Sequence, residues 1–156
     1  MYIMDTLDEE IMRVFGLDAR DGVKKVARNC KVSPSTVRRR ITNLIEKGVM
    51  RIVGVYDISK VGYPACAVIG FSVSYENVDA VLEDLSSRTE VKWLVVATGR
   101  YDIIAMIFVH SFEELQTFVR RGLNTTKGLH EIETFIVLDF KKGKFVPLFE
   151  QSTSPQ

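Results

Sequence analysis

The stretch S33-P-S-T-V-R-R-R-I41 decides the reading of this chain. Three arginines follow a Ser-Pro pair, in a 156-residue protein whose formal net charge is only +1, with pI ≈ 7.8. Ser33 is a good helix N-cap, and Pro34 suits the first helical position, where its missing N–H costs nothing. The spacing predicts a helix from Pro34 to Lys47 that stops at Gly48, with Val37, Ile41, Leu44 and Ile45 on its inner face. At about 100° per residue, Ser35, Arg39, Thr42 and Glu46 point almost opposite that face, flanked by Thr36, Arg38 and Asn43. Arg40 lies at the edge of the buried stripe. That position suits a phosphate or an intramolecular acid better than a base.

Two more helical patterns precede this one. "DTLDEEIMRVFGLDAR" places Leu7, Ile11, Val14 and Phe15 on one face, with Thr6 and Glu9 spaced as a capping box. "GVKKVARNC" turns Val23, Val26, Ala27 and Cys30 inward, and "KVS" is the turn before Ser33. A short helix, a tight turn and a capped second helix with polar outer residues form a helix-turn-helix. The layout fits the DNA major groove, where arginine can bond guanine bidentately and hydroxyls can reach base edges or phosphates. The candidate DNA contacts are Lys24, Lys25, Ser35, Thr36, Arg38, Arg39, Arg40, Thr42 and Asn43.

The near-neutral total hides an asymmetry. Residues 22–52 hold nine basic residues against one acid, a local charge of +8, and the remainder carries −7. A cationic block on an otherwise acidic molecule reads as a nucleic-acid footprint, because a solvated helix face ordinarily mixes its signs. With 46% hydrophobic and 26% charged residues the composition is globular. The opening "MYIMDTLDEE" lacks the order of a secretory signal, and the run "VGYPACAVIGFSV" is too broken and short to span a bilayer. Cys30 and Cys66, each in an apolar pattern, are expected to be reduced, buried thiols in a cytoplasmic protein.

After Gly48, "VMRIVGVYDI" is expected to be a strand, and "SKVGYP" a junction. From Ala65 the elements read strand "ACAVIGFSVSY", helix "NVDAVLEDLSSR", strands "VKWLVVAT" and "DIIAMIFV", helix "SFEELQTFVRRGL", strand "EIETFIVLDF". That β-α-β-β-α-β order is the split βαβ, ferredoxin-like arrangement. Ser111 and Glu114 are spaced as a capping box, and "FVPLF" is expected to be a last edge strand because of Pro147. The overall class is α+β: a winged-type helix-turn-helix domain (1–52), a linker strand and hinge (53–63), a ferredoxin-like domain (64–149) and a flexible tail (150–156). Phe71, Phe108, Phe135, Ile104 and Trp93 suggest a second apolar sheet face that no helix covers, so a face-to-face homodimer is expected. Two-fold symmetry would also place two reading helices on half-sites about 34–36 Å apart.

"LDEEIMRVF", "SPSTVRRRI", "LIEKGV", "ATGRYDIIAMI" and "ETFIVL" together resemble the Lrp/AsnC (feast/famine) transcription regulators over roughly residues 5–140. The resemblance implies an N-terminal DNA-binding domain and a C-terminal effector-binding and assembly domain. It also implies dimers that associate into octamers or related rings, and an amino-acid effector between subunits. It places the effector loop at Thr98, Gly99, Arg100, Tyr101 and Asp102. Amide N–H groups around Gly99 could hold an α-carboxylate, Asp102 an α-ammonium, and Tyr101 could close the pocket. A plain hairpin turn is the other reading of those residues. Arg100 stands where relatives are often acidic or small, and Ile132 and Thr134 align where some present two threonines, so Thr134 alone keeps the hydroxyl.

Two other functions share this architecture. Siroheme decarboxylases resemble the same family, and would want His and Arg acting on tetrapyrrole carboxylates. The histidines here are His110, at a strand end beside a capping Ser, and His130, before the last strand. An effector-independent DNA architectural protein is the third reading. The sequence contains no metal-spaced His/Cys cluster, Gly-rich phosphate loop or nucleophile motif, so neither metal nor cofactor is expected.

Overall fold

The computed structural model describes residues 2–125, 128–143 and 145–147. The chain forms two compact units, Met1–Val53 and Gly54–Gln156. The predicted tail at 150–156 and the end of the "FVPLF" strand lie outside the described residues.

The first unit is three helices: α1 (Thr6–Phe15), α2 (Gly22–Cys30) and α3 (Pro34–Glu46). Ile11, Val14, Val26, Val37 and Leu44 are buried to 1% exposure or less, with Ala27 and Ile41 beside them and Leu7, Phe15, Val23 and Cys30 packed at the margin. Ile45, expected inside, is 43% exposed, because the buried stripe is only wide enough for the 37–41–44 row. The α1 cap lies one residue earlier than Thr6. The Asp5 carboxylate accepts from the N–H groups of Leu7 and Asp8, and the Asp8 carboxylate reaches back to the Asp5 N–H. Asp is among the strongest N-caps, and together these bonds satisfy three backbone donors. Ser33 caps α3 as expected, accepting from the Thr36 N–H at 3.1 Å with Pro34 in the first turn.

The turn between α2 and α3 is tight because Lys31 adopts a left-handed conformation (φ 54°), rare for a residue with a side chain. It lets the Val32 N–H bond the Ala27 carbonyl at 3.0 Å, closing the end of α2. Beyond α3 the expected strand over 49–58 is confined to β1 (Tyr56–Asp57), in the second unit. Residues 51–55 are exposed, and the ladder begins only where β6 (Phe145–Val146) provides an antiparallel partner.

In the second unit, β2 (Ala65–Val73), β3 (Val91–Val96), β4 (Ile103–Val109) and β5 (Leu129–Ile136) form an antiparallel sheet in the order β3-β4-β2-β5. Between them run α4 (Val78–Ser87) and α5 (Phe112–Thr125). The β-α-β-β-α-β order is therefore realised with the strand arrangement of a ferredoxin-like fold. Ala65, Ala67, Ile69, Phe71 and Val73 of β2 join Ile103, Ala105, Ile107 and Val109 of β4 in one core with Val81, Leu85, Leu115 and Phe118 of the helices. Tyr75, the last residue of the expected strand, lies past it in a 3-10 turn and is 95% exposed. His130, expected in a loop, belongs to β5. Ser111 Oγ accepts from the Glu114 N–H, but the Glu114 carboxylate takes the N–H of His110 rather than of Ser111.

The other sheet face is less open than the sequence suggests. Phe71 faces the helices. Phe108 and Cys66 are buried with Ile58 under Tyr63, Val137 and Phe140, as the segments flanking the sheet fold over its end. Burial pushes the Cys66 thiol up to about 12. Trp93 and Phe135 remain half-exposed on that face, with Met106 and Val68 between them in the register and Ile104 two residues away along β4.

Candidate nucleic-acid interface and effector loop

The basic residues from Arg13 to Arg40 divide into two sets. Arg13 is paired with Glu10 at 2.7 Å, Arg20 with Asp18 at 2.7 Å, and Arg40 with Asp5 at 2.7 Å and Asp8 at 3.2 Å. The Arg13 guanidinium, then the Asn29 amide, hold the Glu10 carboxyl at about 2, and Arg20 does the same for Asp18. Among the described residues, Lys24, Lys25, Arg28, Lys31, Arg38 and Arg39 enter no salt bridge, and all six are exposed. They lie on α2, α3 and the turn between them. Unpaired exposed cations concentrated on a helix-turn-helix leave a positive surface available to phosphates.

Around them, Ser35 and Thr42 are exposed, while Thr36 and Asn43 are half-buried. The hydroxyls of Ser35 and Thr36 each lie 2.8 Å from Ser33 Oγ, so both hydroxyls belong to the cap of α3. Arg40 is engaged within the protein. Of its two expected partners the structure supplies the intramolecular acid, in fact two of them. Asp8 is fully buried, and its carboxylate also accepts from the Tyr2 hydroxyl at 3.0 Å. Sequence reasoning asked for an acid without naming it. The available signal was Asp8 itself, three residues before Ile11 on the apolar side of α1.

In the second unit, the segment 97–102 joins β3 to β4, with Gly99 at φ 130°. Thr98, Gly99 and Arg100 are exposed. Asp102 is held by β2 and by Ala97 across the loop. Its N–H bonds the Phe71 carbonyl and its carbonyl accepts from Ala97, both at 2.9 Å, and its carboxylate accepts from the Val73 N–H at 2.8 Å. Tyr101 lies against Gly70. A Cβ at position 70 would fall 2.5 Å from the ring, so only glycine admits this contact. The buried Tyr101 hydroxyl has no hydrogen-bond partner among the described residues. Arg100 stacks over the Tyr101 ring at 5.3 Å and reaches Glu131 at 3.0 Å and Glu133 at 3.6 Å.

Thr134 is not brought to this loop. It pairs across the ladder with Ile69, a helix-side residue, whereas Glu131 and Glu133 pair with Ser72 and Gly70 on the opposite face. Because successive strand residues alternate faces, Thr134 and Arg100 lie on opposite sides of the sheet. The acidic partners of Arg100 and the glycine seat of Tyr101 escaped sequence reasoning. Only the alternation Glu131, Glu133 on β5 hinted at the former. His110 is engaged locally, its Nδ1 2.7 Å from the Gly62 carbonyl oxygen and its ring stacked on Tyr63. No group of three metal-ligating side chains occurs among the described residues, and no described helix is long and apolar enough to cross a membrane.

A basic helix-turn-helix followed by a ferredoxin-like α+β domain defines a class of transcription regulator. This chain belongs to the Lrp/AsnC family. Residues 4–45 match the AsnC-type helix-turn-helix domain and residues 66–145 the Lrp/AsnC ligand binding domain. An uncharacterized HTH-type transcriptional regulator of Pyrococcus furiosus is 32% identical over 148 residues, covering 94% of this chain and all of that protein. The regulatory protein AsnC of Haemophilus influenzae is 30% identical, covering 87% of this chain and 92% of its own. Among solved structures, E. coli AsnC superposes with a TM-score of 0.79 at 26% identity, over 91% of this chain and 97% of that one. A feast or famine regulatory protein of Mycobacterium tuberculosis, complexed with L-methionine, has the same fold, with a TM-score of 0.80 at 20% identity over 90% and 96% of the two chains. The protein is an AsnC-type helix-turn-helix transcriptional regulator.

Proposed function

We propose that this regulator binds a preferred DNA site as a homodimer or a higher ring such as an octamer, and that an amino acid modulates it through the loop at 98–102. The observation that carries the DNA part is the division of the cations. Arg38 and Arg39 stand exposed on α3 without an acid, while their neighbour Arg40 is taken by two. Arg39 then reads base edges from mid-helix, and Lys24, Lys25 and Arg38 contact phosphates or flank the reading. Ser35, Thr42 and Asn43 supply shorter polar contacts, and Thr36 serves chiefly through the cap.

The effector part is supported by the methionine complex of the mycobacterial relative and by the loop's chemistry here. Arg100, poised between Glu131 and Glu133, offers a cation to an α-carboxylate and two carboxylates to an α-ammonium. Thr98 and Gly99 present backbone at an exposed turn, and Asp102 holds the loop to β2 while Tyr101 forms its floor. Thr134 joins such a site only if another subunit presents it. The half-exposed Trp93 and Phe135 on the helix-free sheet face support pairing with a second copy.

The test is selection of bound fragments from genomic DNA, with and without a panel of amino acids, alongside sedimentation analysis. The proposal expects a shared motif, and a shift in occupancy or assembly with one amino acid or a few related ones. Equal retention of all fragments points instead to an architectural DNA-binding protein.

A further inference from the structure

We infer that Arg40, although it is the third cation of the reading-helix run, is a positioning residue. Acting through Asp8 and Asp5, it sets the rotation of α3 about its own axis, and so which way Arg38 and Arg39 point, without neutralising a DNA phosphate itself.

Three observations carry this. First, the Arg40 guanidinium is held by two acids through one nitrogen. Its Nη1 lies 2.7 Å from the Asp5 carboxylate and 3.2 Å from both oxygens of Asp8. The triad has a net charge of −1, so a phosphate approaching it meets repulsion rather than an available cation. Second, Asp8 cannot yield. Its side chain is fully buried, and the same carboxylate accepts from the Tyr2 hydroxyl and the Asp5 N–H. Withdrawing Arg40 would leave a buried carboxylate without its cation, which strongly disfavours the exchange of Asp8 for a phosphate. Third, the triad ties the N-terminus of α1 to the middle of α3, off the apolar stripe formed by Val37, Ile41 and Leu44.

That last point gives the triad its function. Apolar packing is non-directional, so the stripe sets the depth of α3 more firmly than its rotation. A charge-assisted bond at the edge of the stripe resists rotation because it is directional. Turning α3 by about 20° would sweep an arginine tip, about 8 Å from the axis, through about 3 Å. That is as long as a hydrogen bond, enough to break a bidentate contact with a base while still leaving phosphates within reach.

The experiment compares wild type, R40Q and D5N for binding to the preferred site recovered by genomic selection and to an unrelated fragment of equal length. Both are measured at several salt concentrations, after circular dichroism shows each variant folded. For R40Q the expected result is a preference ratio lowered about tenfold or more, with a salt slope within about 0.5 of wild type. A slope shallower by about 0.9 with the preference ratio intact would identify Arg40 as a phosphate contact and overturn the inference. An unchanged ratio with an unchanged slope overturns it equally. D5N, which leaves buried Asp8 in place, keeps the test open if R40Q fails to fold. It should lower the ratio in the same direction, whereas a steeper slope would mean that Asp5 had been withholding Arg40 from the DNA. A wild-type protein without any preferred site would refute the sequence-specific reading itself, an outcome separate from these.

Discussion

Replacing Gly70 with alanine tests whether the loop at 98–102 is built on the sheet beneath it. The added Cβ would lie 2.5, 2.6 and 2.9 Å from the Cγ and Cδ atoms of Tyr101, where ordinary carbon contacts are about 3.5–4.0 Å. The ring must therefore retreat by about 1 Å, yet the next residue cannot follow. Asp102 is fixed by bonds to Phe71, Ala97 and the Val73 N–H, all between 2.8 and 2.9 Å. Overpacking of this kind costs about 1–3 kcal/mol. Removing a glycine from a strand returns about 0.5–1 kcal/mol of backbone entropy and propensity. The net expectation is a loss of about 1–2 kcal/mol from the C-terminal unit. Urea unfolding can be followed by the fluorescence of Trp93, the single tryptophan, which sits on this sheet. Repeating G70A in a Y101A background makes the test specific, because the penalty should vanish there and the substitution become neutral or stabilising. An equal cost in both backgrounds would refute the contact as the cause.

Three further outcomes are expected. Arg39→Ala should cost about 1–3 kcal/mol on the preferred site and relax its sequence preference, as competition binding would show. Equal weakening on all DNA would demote Arg39 to a phosphate contact. Ser33→Ala should destabilise the N-terminal unit by about 1 kcal/mol in thermal unfolding, since it removes the acceptor for the Thr36 N–H. The same unit should lose stability on acidification. The folded Glu10 and Asp18 carboxyls are held at about 2, below their ordinary values of 4.5 and 3.8. Their contribution is therefore present above those ordinary values and is lost as the pH falls toward about 2. Urea midpoints by circular dichroism should decline across that window, and R13M should shrink the decline that Glu10 causes.

How far the sequence could be read depended on whether a feature was local. Ser33, Pro34 and the 37–41–44 spacing act within one helix, and α3 formed where they put it. Ser111 and the α5 pattern behaved likewise. The strand expected over 49–58 failed because a strand needs a partner, and the ladder starts only at Tyr56, opposite Val146. The helix-free sheet face was overestimated for the same reason. Nothing in the spacing of Phe108 reveals that Tyr63 and Phe140 fold over it. In the loop at 98–102 the residue types were legible and the contacts that hold them in place were not. Asp102 read as a ligand for an ammonium group, and nothing local revealed that its carboxylate also accepts from the Val73 N–H, a bond spanning 29 positions. Thr134 was aligned correctly to a strand, but the register with Ile69 decides its face.

The two cysteines give the molecule a built-in pair of reporters. Cys30 is packed at the margin of the helical core and Cys66 in the cluster beneath Tyr63, so each unit carries one thiol of its own. With its thiol pushed up to about 12, Cys66 is almost wholly protonated near neutrality and is a poor nucleophile until its unit opens. Alkylation of Cys66 therefore times the opening of the sheet domain, and alkylation of half-buried Cys30 that of the reading head. Mass spectrometry of the labelled chain would separate the two rates in a single reaction. The same measurement, repeated with DNA or with an amino acid, would show which half of the regulator each ligand steadies.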